Sequence, residues 1–374
     1  SRLGGPWGGL LCLALYVSTP AFLAFGPLVI TDIPVTLFSV IAVWQFADVW
    51  RDPSRRISIL FGLATAAAML SKFTGPIVLL AVVVFIIQTR FRRVEGEPVD
   101  KPERRLWRRR RWGALLAGVG WAAAIVYVTY FVLSWNQPND AADRIPWAPL
   151  RRAVMPYWLY VRGLGMMLMM SARPTYLFGH AFPRGVPFYF PVLVLFKSPL
   201  GLLGVLCVAV AAWFARRRRA AEPVIPEQFR VHWRMLCVSC IVFTLVCLVS
   251  PLNISIRHFT VPLVLLILLV APLPRIIAAF PRRMMWQAAT AGLACSSVLA
   301  VIAAYPHYIP FMNALALGRP AYRIVNDSNV DWNHGMFEVR RFARDRGADR
   351  LKLDIVSLSD PASIIPDSEI WDCQ

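Results

Sequence analysis

One carboxylate and a few cations interrupt the apolar runs of this chain of 374 residues. Asp32 stands in GPLVITDIPVTLF, between two strongly apolar stretches. The cations are Lys72 in MLSKFTG, Lys197 in LFKSPLG, and Arg257 followed by His258 in NISIRHFT. Ionisable groups are costly where a chain meets lipid, and they commonly mark a functional site. We therefore treat these five residues as the candidate site.

The cations are suited to binding an anion. Lys72, Lys197 and Arg257, brought to one membrane boundary, would bind a lipid phosphate or diphosphate through charge-assisted hydrogen bonds. The alternative is that each side chain reaches to the membrane lipids without a specific role. Asp32 also has two interpretations, because a Thr-Asp pair just before a proline is a start signal for a helix. It is either a helix cap or a part of the site's chemistry.

A second group of polar residues lies in segment 326–334. Asp327, Asp331 and His334 are candidate ligands or substrate contacts, although a loop rich in Asn, Asp and Ser is also typical of plain turns. His180 and His307 show no metal-ligand spacing with this segment. The seven cysteines lie mostly inside apolar runs and show no paired spacing of zinc or haem type. The need for a divalent metal stays open.

Composition places the chain in a membrane. Hydrophobic residues make up 57% and charged residues 16%, well below the charge of soluble domains. The net charge of +19 does not indicate nucleic-acid binding, because the basic residues lie in short blocks between apolar runs. The apolar runs predict about nine spans. They cover residues 9–30, 33–50, 57–71, 73–88, 113–134, 190–214, 235–252, 259–273 and 286–304.

The basic blocks predict the orientation. RDPSRR at 51–56, the block 90–111, RRRR at 216–219 and PRIIAAFPRR at 274–283 all fall on one side of the predicted spans. That side is cytoplasmic by the positive-inside rule. The candidate site then lies at the extracytoplasmic boundary of the cell (inner) membrane.

Two longer segments fall on the same outer side. Segment 135–189 is predicted to hold an amphipathic helix along the interface, with apolar residues near 155–159 and arginines at 151, 152 and 162. Segment 305–374 is predicted to begin a small α/β unit, with a helix over 335–346 and a strand from 351 to 355. The expected domains are a multispan unit over 1–304 and an extracytoplasmic segment over 305–374. The chain starts on Ser1 and ends on DSEIWDCQ, so we expect it to be an internal part of a longer protein.

Several motifs together resemble a known family. They are the T-D-x-P unit, GLATAAAMLSKFTGPIVLL, the run from YFP to KSPL, NISIRHFTVP, YPHYIPFMN and DSNVDWNHGM. In order and topology they resemble bacterial GT-C glycosyltransferases of the family 39 type. That group includes the dolichyl-phosphate-mannose protein mannosyltransferases and the lipid A aminoarabinose transferase.

The resemblance implies an integral membrane enzyme that moves a sugar from a polyprenyl-phosphate carrier to an acceptor outside the cytoplasm. It places the principal catalytic acid in an outer loop that precedes this chain, so the chain alone is expected to be inactive. Asp32 matches the family's second, supporting carboxylate. The candidates for the carrier phosphate are Lys72, Lys197, Arg257 and His258. Metal use is not uniform in the family, and no metal is assigned.

Two other classes of function stay open. A multispan transporter or lipid flippase would show helices broken by Gly or Pro near mid-membrane and an internal repeat. A membrane scaffold without catalytic activity would need none of the candidate residues. The expected partners in the enzyme interpretation are membrane lipids and the lipid-linked donor, and no nucleic acid.

Overall fold

The computed structural model describes residues 2–90, 97, 98, 100–135, 145–169, 173–217, 224–332, 335–348, 351–353, 360–365 and 368–370. Its first helices are α1 (Gly5–Val17), α2 (Pro20–Phe25), α3 (Asp32–Arg51), α4 (Arg55–Ser71), α5 (Ile77–Thr89), α6 (Lys101–Ser134) and α7 (Ala148–Met169). A hairpin of β1 (Thr175–Leu177) and β2 (His180–Phe182) follows. The later helices are α8 (Tyr189–Lys197), α9 (Leu200–Arg217), α10 (Arg230–Val249), α11 (Thr260–Leu268), α12 (Leu273–Ala278), α13 (Arg283–Ala304) and α14 (Met336–Asp345).

The helices make this an α-helical polytopic membrane protein, as the sequence predicts. Six segments within the described residues are long and apolar enough to cross a bilayer: Asp32–Arg51, Lys101–Ser134, Leu200–Arg217, Glu227–Val249, Ile256–Ala278 and Arg283–Ala304. The other three predicted spans correspond to the shorter helices α1, α4 and α5, of 13, 17 and 13 residues. Short apolar helices are accommodated in membranes by local thinning or by packing within a bundle.

Two predicted spans are each broken into two helices. Segment 9–30 divides at Ser18 and Thr19, where the Thr19 hydroxyl donates to the carbonyl of Leu15 and Pro20 starts α2. Segment 190–214 divides between α8 and α9 at Ser198 and Pro199. Proline has no backbone N–H and disfavours a helical residue before it, so a helix ends there.

One part of the bundle is formed by α3, α4, α5 and α6. Phe46 of α3 packs edge-on against Phe85 of α5, with ring centroids 5.5 Å apart. Gly62 of α4 lies against the backbone of Gly118 of α6, so closely that a Cβ at Gly62 would be 2.6 Å from that carbonyl oxygen. Such pairs of small residues let membrane helices approach closely. The remaining bundle is made by α10 against α3, α5 and α11, and by α13 against α9.

The amphipathic helix predicted in segment 135–189 is present as α7. Tyr160 is buried against Phe73 and Tyr130, at centroid distances of 5.6 and 5.5 Å. Trp158 and Val161 on the other face are exposed. An exposed apolar face beside a packed one suits a helix that lies along the membrane interface.

The tail differs in part from the prediction. Residues 305–332 form turns and short 3₁₀ segments that pack on the helices, and regular α/β structure begins only later. The predicted helix over 335–346 is present as α14, and the predicted strand as β3 (Leu351–Leu353), which pairs in parallel with β4 (Ser368–Ile370). Its predicted continuation at Ile355 lies outside the described residues.

Candidate functional site

The α3–α4 hairpin brings Asp32 and Lys72 to the same end of the bundle. Asp32 is the first residue of α3, and Lys72 directly follows the last residue of α4. Because the two helices run in opposite directions, the basic residues Arg51 and Arg55 lie at the other end of the hairpin. Lys72 Nζ lies 2.5 Å from Asp32 Oδ1, and the Asp32 side chain is only 6% exposed. The pair is an ion pair largely shielded from solvent.

This contact bears on the two interpretations of Asp32. The N-cap position of α3 is Thr31, whose side chain makes no capping hydrogen bond. The carboxylate of Asp32 is instead bound to the Lys72 ammonium. The geometry therefore favours a role in the local charge arrangement over a role as a helix cap.

His258 extends the pair to a chain of three groups. Its Nδ1 lies 3.2 Å from Lys72 Nζ. An ammonium group has only protons to donate, so Nδ1 accepts and the proton of the neutral ring is on Nε2. That Nε2 is buried and has no hydrogen-bond partner among the described residues. The proton on this nitrogen is therefore donated to no group among the described residues.

Arg257 offers a second donor of the same kind. Its guanidinium carbon lies 3.9 Å from the centre of the Trp332 ring, which holds the cation by a cation–π contact. Its buried Nε makes no hydrogen bond within the described part of the chain. Asp32 and Asp327 both lie within electrostatic range of this cation. Ser255 caps the 3₁₀ turn Ile256–Phe259, with its Oγ 3.4 Å from the Arg257 nitrogen, and so fixes where the turn begins.

These charged groups line one cavity of about 460 Å³. Asp32, Lys72, Arg257 and His258 all contribute to its wall, and Asp32 is the one acid among its described lining residues. Most of the remaining wall is apolar and comes from several helices, including Ile77, Leu80, Met167, Phe190, Phe243 and Val261. A cavity with cations at one place and apolar side chains elsewhere suits an amphiphile with an anionic head.

Lys197 does not join this group. Its side chain is buried, and Nζ donates to the carbonyls of Ile309 at 2.7 Å, Asn329 at 2.9 Å and Phe311 at 3.4 Å. The three carbonyl acceptors favour the protonated form of Lys197. An ammonium has three protons. Lys197 is therefore fully bonded to the backbone and does not line the cavity, contrary to the expectation that it contacts the carrier phosphate.

The acids predicted as candidate ligands in the polar segment of the tail bind backbone groups of their own segment. Asp327 adopts a positive φ of 57° and its Oδ1 accepts from the backbone of Ser328 at 2.5 Å. Asp331 Oδ1 accepts from the Gly335 nitrogen at 3.1 Å, just before α14. Both contacts are local hydrogen bonds of the kind found in turns. His334 lies outside the described residues.

Asn329 is the residue that sequence reasoning missed. It is fully buried and bonded on every side, although it stands in a segment with the composition of a turn. Its Nδ2 lies 2.8 Å from Tyr189 Oη and 2.9 Å from the carbonyl of Ile254, and its Oδ1 accepts from the nitrogen of Ile256 at 3.1 Å. The motif DSNVDW marked the segment, but nothing local distinguished Asn329 from its polar neighbours.

The described residues contain no evident metal site. No group of three or more His, Cys, Asp or Glu side chains is placed to hold an ion there. The cysteines at 12, 207, 237, 240, 247 and 295 are all free thiols. The pair at 237 and 240 lies within α10.

Comparison with known proteins gives one result. Residues 1–98 match the model of the family described as dolichyl-phosphate-mannose-protein mannosyltransferase. Comparisons with curated proteins and with solved structures gave no match. The matched part carries Asp32 and Lys72, and it ends before Arg257 and His258. The resemblance to the GT-C membrane glycosyltransferases is therefore confirmed over residues 1–98, about a quarter of the 374 residues.

Proposed function

We propose that the protein transfers a glycosyl group from a polyprenyl-phosphate-linked sugar to an extracytoplasmic acceptor, which is a protein, a lipid or a glycan. The observation that carries this proposal is the cavity in which Lys72, Arg257 and His258 meet apolar walls. The family match over residues 1–98 supports the same reaction class.

The cations act on the leaving group. The acceptor hydroxyl attacks the anomeric carbon with inversion, the bond from that carbon to the phosphate oxygen breaks, and the electron pair leaves on the polyprenyl phosphate. Lys72, Arg257 and the Nε2–H of His258 stabilise the negative charge that develops there. Fixed donors aimed at developing charge are commonly the largest single contribution to catalysis.

Asp32 has a supporting role. It holds the Lys72 ammonium at 2.5 Å and so sets where that cation meets the phosphate. We do not assign it the removal of the acceptor proton. The acceptor proton goes to a base, as the resemblance implies, and we assign no residue of this chain to that role.

The orientation and domain organisation belong to the same proposal. The basic residues that end α3 and begin α4 lie opposite Asp32 and Lys72, which by the positive-inside rule supports a cavity on the extracytoplasmic side of the cell (inner) membrane. We assign 1–304 to the membrane unit and 305–374 to an extracytoplasmic segment, of which 305–332 packs directly on the helices.

Transfer from labelled donors tests the proposal. Membranes that contain the full-length protein are incubated with a panel of radiolabelled polyprenyl-phosphate sugars, and labelled acceptors are separated from the lipid donor. The proposal expects transfer from at least one donor, with a signal lowered about tenfold in Asp32→Asn at matched expression. Transfer that Asp32→Asn leaves unchanged contradicts the assigned site, and absence of transfer over the whole panel contradicts the reaction.

One observation favours a lipid transporter as the second candidate. The predicted spans 9–30 and 190–214 are both interrupted, and broken helices are common in transporters. Proteoliposomes that carry a fluorescent polyprenyl phosphate distinguish the two functions. Movement of the lipid between leaflets without sugar transfer would support the transporter. A protein that does neither would be a scaffold.

A further inference from the structure

We propose that Asn329 is the positioning residue of the segment that carries Arg257 and His258, and that the tail over 328–332 thereby forms part of the site. This inference rests on the proposed function, because it gives those two residues their role toward the donor phosphate. It concerns a residue that is not among those lining the cavity and that falls outside the part of the chain matched to the family.

The contacts of Asn329 fix the backbone on which the two donors stand. Its side chain accepts from the Ile256 nitrogen and donates to the Ile254 carbonyl, one residue on each side of Ser255. The Ser255 hydroxyl in turn lies 3.5 Å from the Ser328 carbonyl. The backbone from 254 to 256 is therefore bonded to the tail immediately before Arg257.

A second set of contacts fixes Asn329 itself. Its Nδ2 also reaches Tyr189 Oη at 2.8 Å, and its own carbonyl accepts from Lys197 at 2.9 Å. Tyr189 and Lys197 are the two ends of α8, and both are buried. A buried amide with its donors and acceptor satisfied specifies one arrangement, because any other would leave polar groups unpaired. These contacts thus fix the position of the 254–256 backbone relative to α8.

The same tail segment contacts the Arg257 side chain. Trp332, three residues after Asn329, places its ring 3.9 Å from the guanidinium carbon. The tail therefore holds the backbone just before Arg257 through Asn329 and the charge of Arg257 through Trp332. Displacement of catalytic groups by about 1 Å is enough to lower a rate by about 100-fold.

Asn313 provides a matched control. It is also a buried asparagine of the tail, and its Nδ2 donates to the carbonyls of Leu195 at 2.6 Å and Ser198 at 2.8 Å. It anchors the tail to the end of α8, yet it makes no hydrogen bond to the 254–258 backbone. Asn313→Ala and Asn329→Ala therefore remove comparable packing from one segment, and only the second releases the segment of Arg257.

Cys247 reports on this segment independently of activity. It lines the cavity, and its Sγ lies 3.6 Å from the carbonyl of His258. Site-resolved labelling by a small methanethiosulfonate reagent, measured by mass spectrometry in detergent, gives its rate of modification. We expect the rate to rise at least about threefold in Asn329→Ala and to stay near the wild-type rate in Asn313→Ala, since local opening exposes buried groups.

The kinetic readout uses the same variants. We expect kcat/KM for the lipid-linked donor to fall about tenfold in Asn329→Ala, with the acceptor KM unchanged, because the loss is confined to groups that contact the donor phosphate. Equal labelling and equal donor kinetics in the two alanine variants would overturn the inference. If the wild type transfers no sugar, the proposed function fails, while the labelling comparison still decides whether Asn329 positions the segment.

A conservative variant guards against loss of folding. Asn329→Asp keeps the shape and the acceptor for the Ile256 nitrogen, and it loses the donors to Tyr189 and Ile254. Where Asn329→Ala gives no folded protein, Asn329→Asp is measured instead. We expect Cys247 to be labelled faster in Asn329→Asp than in the wild type and in Asn313→Ala. Labelling at the wild-type rate in this folded variant would contradict the assignment.

Discussion

Lys72 and Lys197 illustrate two fates of a lysine in an apolar environment. Lys72 is held by the carboxylate of Asp32 and lines a cavity that Arg257 and His258 also line. Lys197 is enclosed by three backbone carbonyls, so its protons are already accepted. The first arrangement leaves charge available to a ligand, and the second uses it to join α8 to the tail. Sequence position alone made them look equivalent.

The largest effect is expected from Lys72→Ala. Removal of one fixed donor to a developing negative charge commonly lowers turnover by about 100-fold or more. We expect a fall of that size in sugar transfer, measured with the labelled donor at matched expression. Activity within about threefold of the wild type would show that Lys72 does not contact the phosphate.

Lys197→Met tests the other side of the comparison. It leaves the carbonyls of Ile309, Phe311 and Asn329 without their donor, and each buried unsatisfied acceptor costs about 1–3 kcal/mol. We expect a loss of stability of at least about 3 kcal/mol, read as a lower unfolding temperature in detergent. Transfer per folded molecule should remain at least about tenfold higher in Lys197→Met than in Lys72→Ala. The reverse pattern would make Lys197 the phosphate ligand.

Asp32→Asn is expected to have a smaller effect on transfer, of about tenfold, because Lys72 stays but loses its orienting carboxylate. The double variant Asp32→Asn/Lys72→Ala sharpens the interpretation. It removes the unpaired carboxylate that Lys72→Ala leaves behind, so stability should recover while transfer does not. Additive effects of the two changes on stability would contradict the ion pair.

Asp48→Asn should have the smallest effect. Asp48 pairs with buried His232 at 2.8 Å on the part of α3 remote from Asp32, about 24 Å along the helix. The amide keeps an acceptor for His232 Nε2, so we expect a loss of about 1 kcal/mol in unfolding free energy. Transfer should stay at the wild-type rate. A fall as large as that of Asp32→Asn would remove the distinction between the two acids.

Much of the fold follows from local pattern. The span predicted over 33–50 is α3 with nearly the same bounds, and the helix predicted over 335–346 is α14. The positions of Pro20 and Pro199 explain the two broken spans, because proline ends a helix even inside an apolar run. An apolar average over 20 residues conceals such a break.

The site was predictable as far as topology reaches. Asp32 and Lys72 could be placed together because an antiparallel pair of helices returns the chain to the same boundary. The difference between Lys72 and Lys197 could not be predicted from the sequence, because it depends on where the tail packs. The carbonyls that bind Lys197 are 112 to 132 residues away in sequence. Asn329 was missed for the same reason, since its role lies entirely in long-range contacts.

Photocrosslinking of the donor tests the central claim most directly. A polyprenyl phosphate with a diazirine near the phosphate is incubated with the full-length protein in membranes, irradiated, and mapped by mass spectrometry with unlabelled donor as competitor. The account predicts competed labels on residues of this cavity, such as Phe73, Leu80 and Phe243. Competed labels confined to the surfaces of α9 and α13 would show that the donor binds elsewhere.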